Sequence, residues 1–257
     1  MNYNNYHTHT VFCDGNNTAE EMVLAAINAG CGELGFSGHS YLDFDDSWTM
    51  TPEKAEAYRR TIKELKSKYA SQISLRLGIE QDYCSDTAEL ALYDYVIGAV
   101  HCVIKDGNYI SVDASAELLK DGIDKYYGGD EMAFAEDYFA LVGDVYNKTK
   151  SDIIAHFDLL TKFGIIDTEN PRYITAEQKA LEKLMDTPAI FEINTGAISR
   201  GYTDKPYPNE RVLKSLADAG KEVILSSDSH STDTILFGFD DAKKLCEKYN
   251  LKIRTTL

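Results

Sequence analysis

Apolar residues along this chain follow two alternating patterns. Short runs such as Ile73-Ser74-Leu75-Arg76-Leu77-Gly78-Ile79-Glu80 and Ala189-Ile190-Phe191-Glu192-Ile193-Asn194 have the length and apolar content of buried strands. The longer stretches between them carry helix signals. Thr18 with Glu21 forms a capping box, predicting a helix that closes at Gly30. Thr51-Pro52-Glu53 opens a second, with proline at the first helical position, running to about Tyr69. Further helices are expected over 131–148, 175–185, 209–219 and 239–249. Strands are expected over 2–7, 33–39, 73–80, 93–101, 152–156, 189–196 and 222–230, with 251–255 as an eighth strand or edge segment. Residues 105–129 are irregular and glycine-marked, long for a loop, and read as a lid or insertion with some structure of its own.

Strands alternating with helices imply an α/β fold with a parallel sheet. An open doubly wound sheet gathers its functional groups at one switch point. Here polar residues able to bind a ligand close at least six strands, spread from residue 7 to residue 230. That favours a closed barrel, whose strand C-termini share one mouth. A distorted TIM-like (β/α)7 barrel fits the strand count better than eight regular units. The 257 residues suit one such domain, 1–257.

Composition narrows the partners. The net charge of −16 opposes a polynucleotide substrate, although a cationic cleft can still attract a small anion. No apolar run is long enough to span a membrane, and the start, Met1-Asn2-Tyr3-Asn4-Asn5-Tyr6, has no signal-peptide pattern, so a cytoplasmic location is expected. The cysteines, Cys13, Cys31, Cys84, Cys102 and Cys246, are odd in number and lack CxxC spacing, which reads as free thiols.

The six histidines carry the chemistry. All of His7, His9, His39, His101, His156 and His230 lie at predicted strand ends. His7-Thr8-His9 places two imidazoles on one face of a strand, where they can share a metal ion. With Asp14, Glu80 and Asp228 they form a set of nitrogen and oxygen donors fit for a polynuclear site. Asp14, in Cys13-Asp14-Gly15-Asn16, can also be read as a turn residue bonded to its own backbone. Glu192 and Asn194 alternate with Phe191 and Ile193, so they face the barrel interior, where they could orient a histidine; Glu192 is alternatively a direct ligand.

The chain resembles the PHP family, named for polymerase and histidinol phosphatase. His7-Thr8-His9, Gly38-His39-Ser40, Gly78-Ile79-Glu80, Val100-His101, Ala155-His156-Phe157 and Ser227-Asp228-Ser229-His230 carry the resemblance, in the family's order. Asn194-Thr195-Gly196-Ala197-Ile198-Ser199-Arg200 looks most like its stand-alone histidinol-phosphate phosphatase branch. The resemblance implies two or three divalent transition metal ions, zinc, iron or manganese. It implies that His7, His9, Glu80 and Asp228 hold the first, that Glu80 bridges to a second held by His101 and His156, and that Asp14, His39 and His230 hold the third. Asp14 departs from the histidine of many relatives and is a harder ligand. Three such ions, less three carboxylates and a bridging hydroxide, leave a formal charge of about +2, suited to a phosphate monoester dianion.

The implied activity is hydrolysis of L-histidinol phosphate, a step of histidine biosynthesis, with a metal-bridging hydroxide as nucleophile. Arg200, just past the sixth strand, is the expected phosphate clamp and Lys162 a second phosphate contact. Asp228 and His230 are candidates for protonating the leaving group, with water on a metal as the alternative. Asp43, Asp45, Asp46 and Asp82 are expected to receive the substrate ammonium. Other readings are a phosphoesterase for a nucleotide or phosphotyrosine, and a non-catalytic metal-bound module.

Overall fold

The structure is a computed structural model that describes residues 3–257; Met1 and Asn2 lie outside the described residues. Seven parallel strands curl into a TIM-like barrel wall. In chain order the elements are α1 (Ala19–Asn28), β1 (Glu33–Phe36), α2 (Pro52–Lys68), β2 (Ser74–Asp82), β3 (Tyr95–Ala99), β4 (Cys102–Lys105), β5 (Asn108–Ser111), α3 (Ala116–Tyr127), α4 (Glu131–Val142), α5 (Val145–Thr149), β6 (Ile153–Ile154), α6 (Pro171–Met185), β7 (Ile190–Asn194), α7 (Gly196–Ser199), α8 (Glu210–Asp218), β8 (Glu222–Ser226), α9 (Phe239–Tyr249) and β9 (Lys252–Ile253). The wall runs β1-β2-β3-β6-β7-β8-β9, and every neighbouring pair is parallel.

The N-terminal segment closes this wall without becoming a regular strand. Asn5 bridges Leu34 of β1 and Thr8 bridges Ser229 beyond β8. His9 N donates to Ser229 O at 2.8 Å, and Ser37 N donates to Thr8 O at 2.9 Å. The expected first strand, 2–7, is therefore, over its described residues 3–7, an irregular stave held between β1 and the segment beyond β8; Asn2 lies outside the described residues. The expected eighth strand is short and pairs with β8.

Period-two alternation sorts the side chains. Tyr95, Ile97 and Ala99 of β3, with Tyr6, Ile153, Ile190 and Ile224, fill the inside of the barrel. The opposite faces pack under the helices: Leu77 and Ile79 meet α1 and α2, whereas Phe191, Ile193, Val223 and Leu225 join the larger cluster under α4, α6, α8 and α9. Tyr95 occupies the space left by two glycines. A Cβ on Gly78 would stand 2.2 Å from its ring, and one on Gly35 2.4 Å from its hydroxyl.

Three expected boundaries shift. Residues 105–129 hold ordered elements, the β4–β5 hairpin and α3, which form a structured insertion after β3. The 131–148 helix divides at Gly143 into α4 and α5. The 175–185 helix begins earlier, at Pro171, because Asn170 caps it by accepting from Arg172 N at 2.9 Å.

Candidate metal centre

Glu80 organises the mouth of the barrel. It lies near the C-terminal end of β2 and is buried to 1% exposure. One carboxylate oxygen, Oε2, faces His7 Nε2 at 3.2 Å, His9 Nε2 at 3.5 Å and His39 Nδ1 at 2.9 Å. The other, Oε1, faces His156 Nε2 at 3.0 Å and His101 Nε2 at 3.4 Å. A single carboxylate thus joins two groups of imidazoles. His39, His101 and His156 each follow a strand C-terminus by two or three residues, so the barrel's own geometry collects them.

Asp228 completes the first group. It sits two residues past β8 with φ of +47°, a left-handed conformation tolerated by Asp better than by most residues. Its Oδ1 lies 3.3 Å from His9 Nε2 and 3.6 Å from His7 Nε2. His230, after the same turn, stacks on His9 with ring centroids 4.1 Å apart. Asp14 lies opposite, its carboxylate 3.1 Å from His230 Nε2, 3.5 Å from His39 Nε2 and 3.7 Å from His9 Nδ1. His9 therefore stands between two groups, with Nε2 toward Glu80 and Asp228 and Nδ1 toward Asp14.

Ligand-competent atoms of His7, His9, Glu80 and His39, Glu80, His101 converge within 4.8 Å, as do those of His9, Asp14, His39 and His230. His7 Nε2, His9 Nε2 and Glu80 Oε2 are buried and make no hydrogen bond, the expected state of donors meant for an ion. The chemistry of the set, neutral imidazole with carboxylate, suits divalent transition metals. Without an ion the charges compensate in pairs. Burial opposes protonation of His7, yet Glu192, Glu80 and Asp228 hold its pKa well above the ordinary value. His101 is raised to about 10 against its burial, chiefly by Glu80 and Asp82, whereas His9 falls to about 3 through burial and the nearby His230 and His39. Glu80 and Asp228 stay ionised despite burial; His7 and His39 act on Glu80, Arg200 and His7 on Asp228.

A second ring of groups orients the first. Glu192 Oε2 meets His7 Nδ1 at 2.8 Å, while its Oε1 accepts from His156 N at 2.6 Å and Asn194 Nδ2 at 2.7 Å. It contacts the His7 and Asn194 side chains and the His156 backbone rather than the convergence point, which favours the orienting role over direct ligation. Asp82 accepts from the backbone N of His101 and faces its Nδ1, both at 3.0 Å. Asp82 is thus buried beneath the site and cannot receive a substrate ammonium as expected. The expected strand ended at Glu80; two more residues of alternation would have put Asp82 on the same inward face. Trp48 was missed. Its ring meets the edges of His39 and His101 at 4.7 and 5.3 Å.

Arg200 lies at the mouth but is already engaged. Its guanidinium donates to Asp228 O at 2.9 Å and Oδ2 at 3.0 Å, and approaches His230 Nδ1 at 3.1 Å. Gly196 makes room, since a Cβ there would fall 2.8 Å from that of Asp228 and 3.0 Å from the guanidinium. Lys162 lines the same cleft of about 410 Å³, with Asp45, Asp113 and Tyr202. Asp43 and Asp46 are not among the residues lining it. The five cysteines are free; Cys13 Sγ lies 3.6 Å from His9 Nδ1, and burial raises its pKa, which favours the neutral thiol. Cys102 is buried in β4.

Fold and site define a β/α-barrel protein with a cluster of histidine and carboxylate side chains that could hold metal ions. The chain belongs to the PHP domain family, whose model matches residues 5–196. A relative from Deinococcus radiodurans, named "Probable histidinol-phosphatase", is 28% identical over 248 residues, covering 93% of this chain and 90% of the relative. A crystal structure from Listeria monocytogenes shares the fold with TM-score 0.82 at 24% identity, over 93% of this chain and 99% of that one. A histidinol phosphate phosphatase from Lactococcus lactis, crystallised with Zn, L-histidinol and phosphate, matches with TM-score 0.74 at 20% identity, over 98% of this chain and 95% of that one. No described helix is long and apolar enough to cross a membrane.

Proposed function

We propose that this protein is a metal-dependent phosphomonoesterase that hydrolyses L-histidinol phosphate to L-histidinol and phosphate. The observation that carries the proposal is the set of buried, unbonded donors His7 Nε2, His9 Nε2 and Glu80 Oε2 at the barrel mouth. Support comes from relatives named for this activity and from the neighbour that binds L-histidinol and phosphate. His7, His9, Glu80 and Asp228 would hold one ion, Glu80, His101 and His156 a second, and Asp14, His39 and His230 a third. Bound there, divalent ions supply Lewis acidity toward phosphate oxygens and a water that ionises near neutral pH.

The chain's own groups do the rest. Glu192 and Asp82 fix the rings of His7 and His101. Arg200, held at the mouth by Asp228, would offer its guanidinium to the phosphate. Lys162 Nζ, whose side chain is only 10% exposed, adds a second cation lining the same cleft. Trp48 shields the imidazoles from solvent on one side. The test is metal analysis together with phosphate release from L-histidinol phosphate, on wild type and His9→Ala. The variant should lose metal and at least about a hundredfold in rate, as removal of a transition-state stabiliser does. Full activity in His9→Ala refutes the assignment.

A further inference from the structure

The cleft contains five carboxylates, and four are committed. Asp14, Glu80 and Asp228 face the imidazoles. Asp45 is saturated by its own turn: Oδ1 accepts from Ser47 N at 3.2 Å and Ser47 Oγ at 2.6 Å, and Oδ2 from Trp48 Nε1 at 3.0 Å. Asp113 is different. Its carboxylate meets Lys162 Nζ at 3.5 Å, beyond good hydrogen-bond distance, because that ammonium instead bonds the Asp113 carbonyl at 2.8 Å.

The backbone around Asp113 is fixed while its carboxylate stays available. Val112 N donates to His101 O at 2.9 Å, tying the end of β5 to the candidate metal centre. Ser111 Oγ accepts from Ala114 N at 3.2 Å on the far side. The Asp113 charge bears on both His101 and Arg200, which line the same cleft. Lys162 is steadied over the Tyr202 ring at 4.7 Å. A cation and an anion therefore stand side by side in the mouth. That pair matches a ligand with a phosphate and an ammonium close together, as in a phosphate ester of a 2-amino alcohol. Lys162 then faces the phosphate and Asp113 the ammonium, with charges alternating around the ring.

We infer that Asp113, delivered by the insertion after β3, is the specificity-determining residue that receives the substrate ammonium. The inference rests on the hydrolase reading above. It explains why a barrel strand is followed by a hairpin and helix that contribute no candidate ligand beyond His101.

The test compares two esters that differ only in the amine, L-histidinol phosphate and 3-(imidazol-4-yl)propyl phosphate, on metal-loaded enzyme. Wild type should prefer the ammonium ester in kcat/KM by about ten- to a hundredfold, the range of a charged hydrogen bond. Asp113→Asn should remove most of that preference through KM, changing the desamino ester less than about twofold. Asp113→Ser should do the same, and Asp45→Asn should leave the ratio unchanged. Equal losses on both esters, or a wild type without preference, overturn the inference while leaving the hydrolase intact. If loaded wild type releases phosphate from neither ester, the hydrolase reading falls first and the inference with it.

Discussion

Glu192→Gln isolates the orienting network from the ligands themselves. The carboxylate is fully buried and accepts at both oxygens: His156 N and Asn194 Nδ2 at Oε1, His7 Nδ1 at Oε2. Glutamine has the same shape but only one acceptor oxygen. Two donors at one end hold that oxygen in place, so the amide NH2 must face His7 Nδ1. A donor there forces Nδ1 to accept, and the ring proton moves to Nε2. Nε2 is the nitrogen that lies 3.2 Å from Glu80 and 3.6 Å from Asp228. An ion at that point must displace this proton, which the neutral ring can then carry only at Nδ1, facing the amide NH2, whereas in wild type Nδ1–H keeps its carboxylate acceptor. Loss of such an orienting partner costs about 10- to 100-fold in metal affinity, or roughly 1.4–2.7 kcal/mol. The assay is competitive metal titration against a chromophoric chelator, with circular dichroism to confirm the fold. Activity should recover in part at saturating metal, because no ligand atom has been removed. A folded Glu192→Gln protein with wild-type metal affinity and rate would refute the orienting role and the assignment of His7 Nε2 as a ligand.

Gly78→Ala should destabilise the metal-loaded protein by about 1–3 kcal/mol, the usual cost of overpacking, because the new methyl would stand 2.2 Å from the buried Tyr95 ring. Thermal unfolding should show a fall of several degrees, and an unchanged Tm would mean the ring has another place to go. Metal removal should make stability more sensitive to alkali. In the ion-free protein His7 and His39 are held protonated well above their ordinary pKa, and His101 up to about 10, by buried carboxylates. Raised values of this kind contribute stability that is complete below the unfolded pKa of about 6.5 and disappears as pH rises through the folded one. Ion binding requires neutral imidazole, so loading releases these protons and its apparent affinity grows with pH. The Tm gap between loaded and chelator-treated protein should therefore widen from pH 7 to pH 9.5; a constant gap rejects this linkage.

How much of this could be read beforehand depended on how local each cause was. The helix starts at Thr18 and Thr51 depend on the next three residues, and both caps are present as expected. The hairpin of the insertion had an equally local signal that was not used. Asp106-Gly107 has φ of 49° and 75°, the paired left-handed residues of a tight two-residue turn, between Lys105 and Asn108. The N-terminal stave is another matter. Its partners are Leu34 and Ser229, and nothing within its own residues tells that it is held by isolated bridges from both sides rather than by a full ladder. Barrel closure, a property of the whole sheet, decides it.

Asp14 keeps the turn of one sequence reading but not its backbone bond, and its carboxylate stays free for the ligand reading. The turn is real: Cys13 N and Gly15 N both donate to Thr10 O, at 3.0 and 3.1 Å. It is so tight that a Cβ on Gly15 would fall 2.4 Å from Thr10 N. Yet the Asp14 carboxylate is not spent on this backbone. It points across the mouth to His230, His39 and His9. The histidines at 7 and 9 lead the chain to the barrel mouth, and the turn that follows brings it back over the same opening. A carboxylate on a rigid turn can be aimed without a strand, which is the one thing the strand-end pattern of the histidines could not reveal.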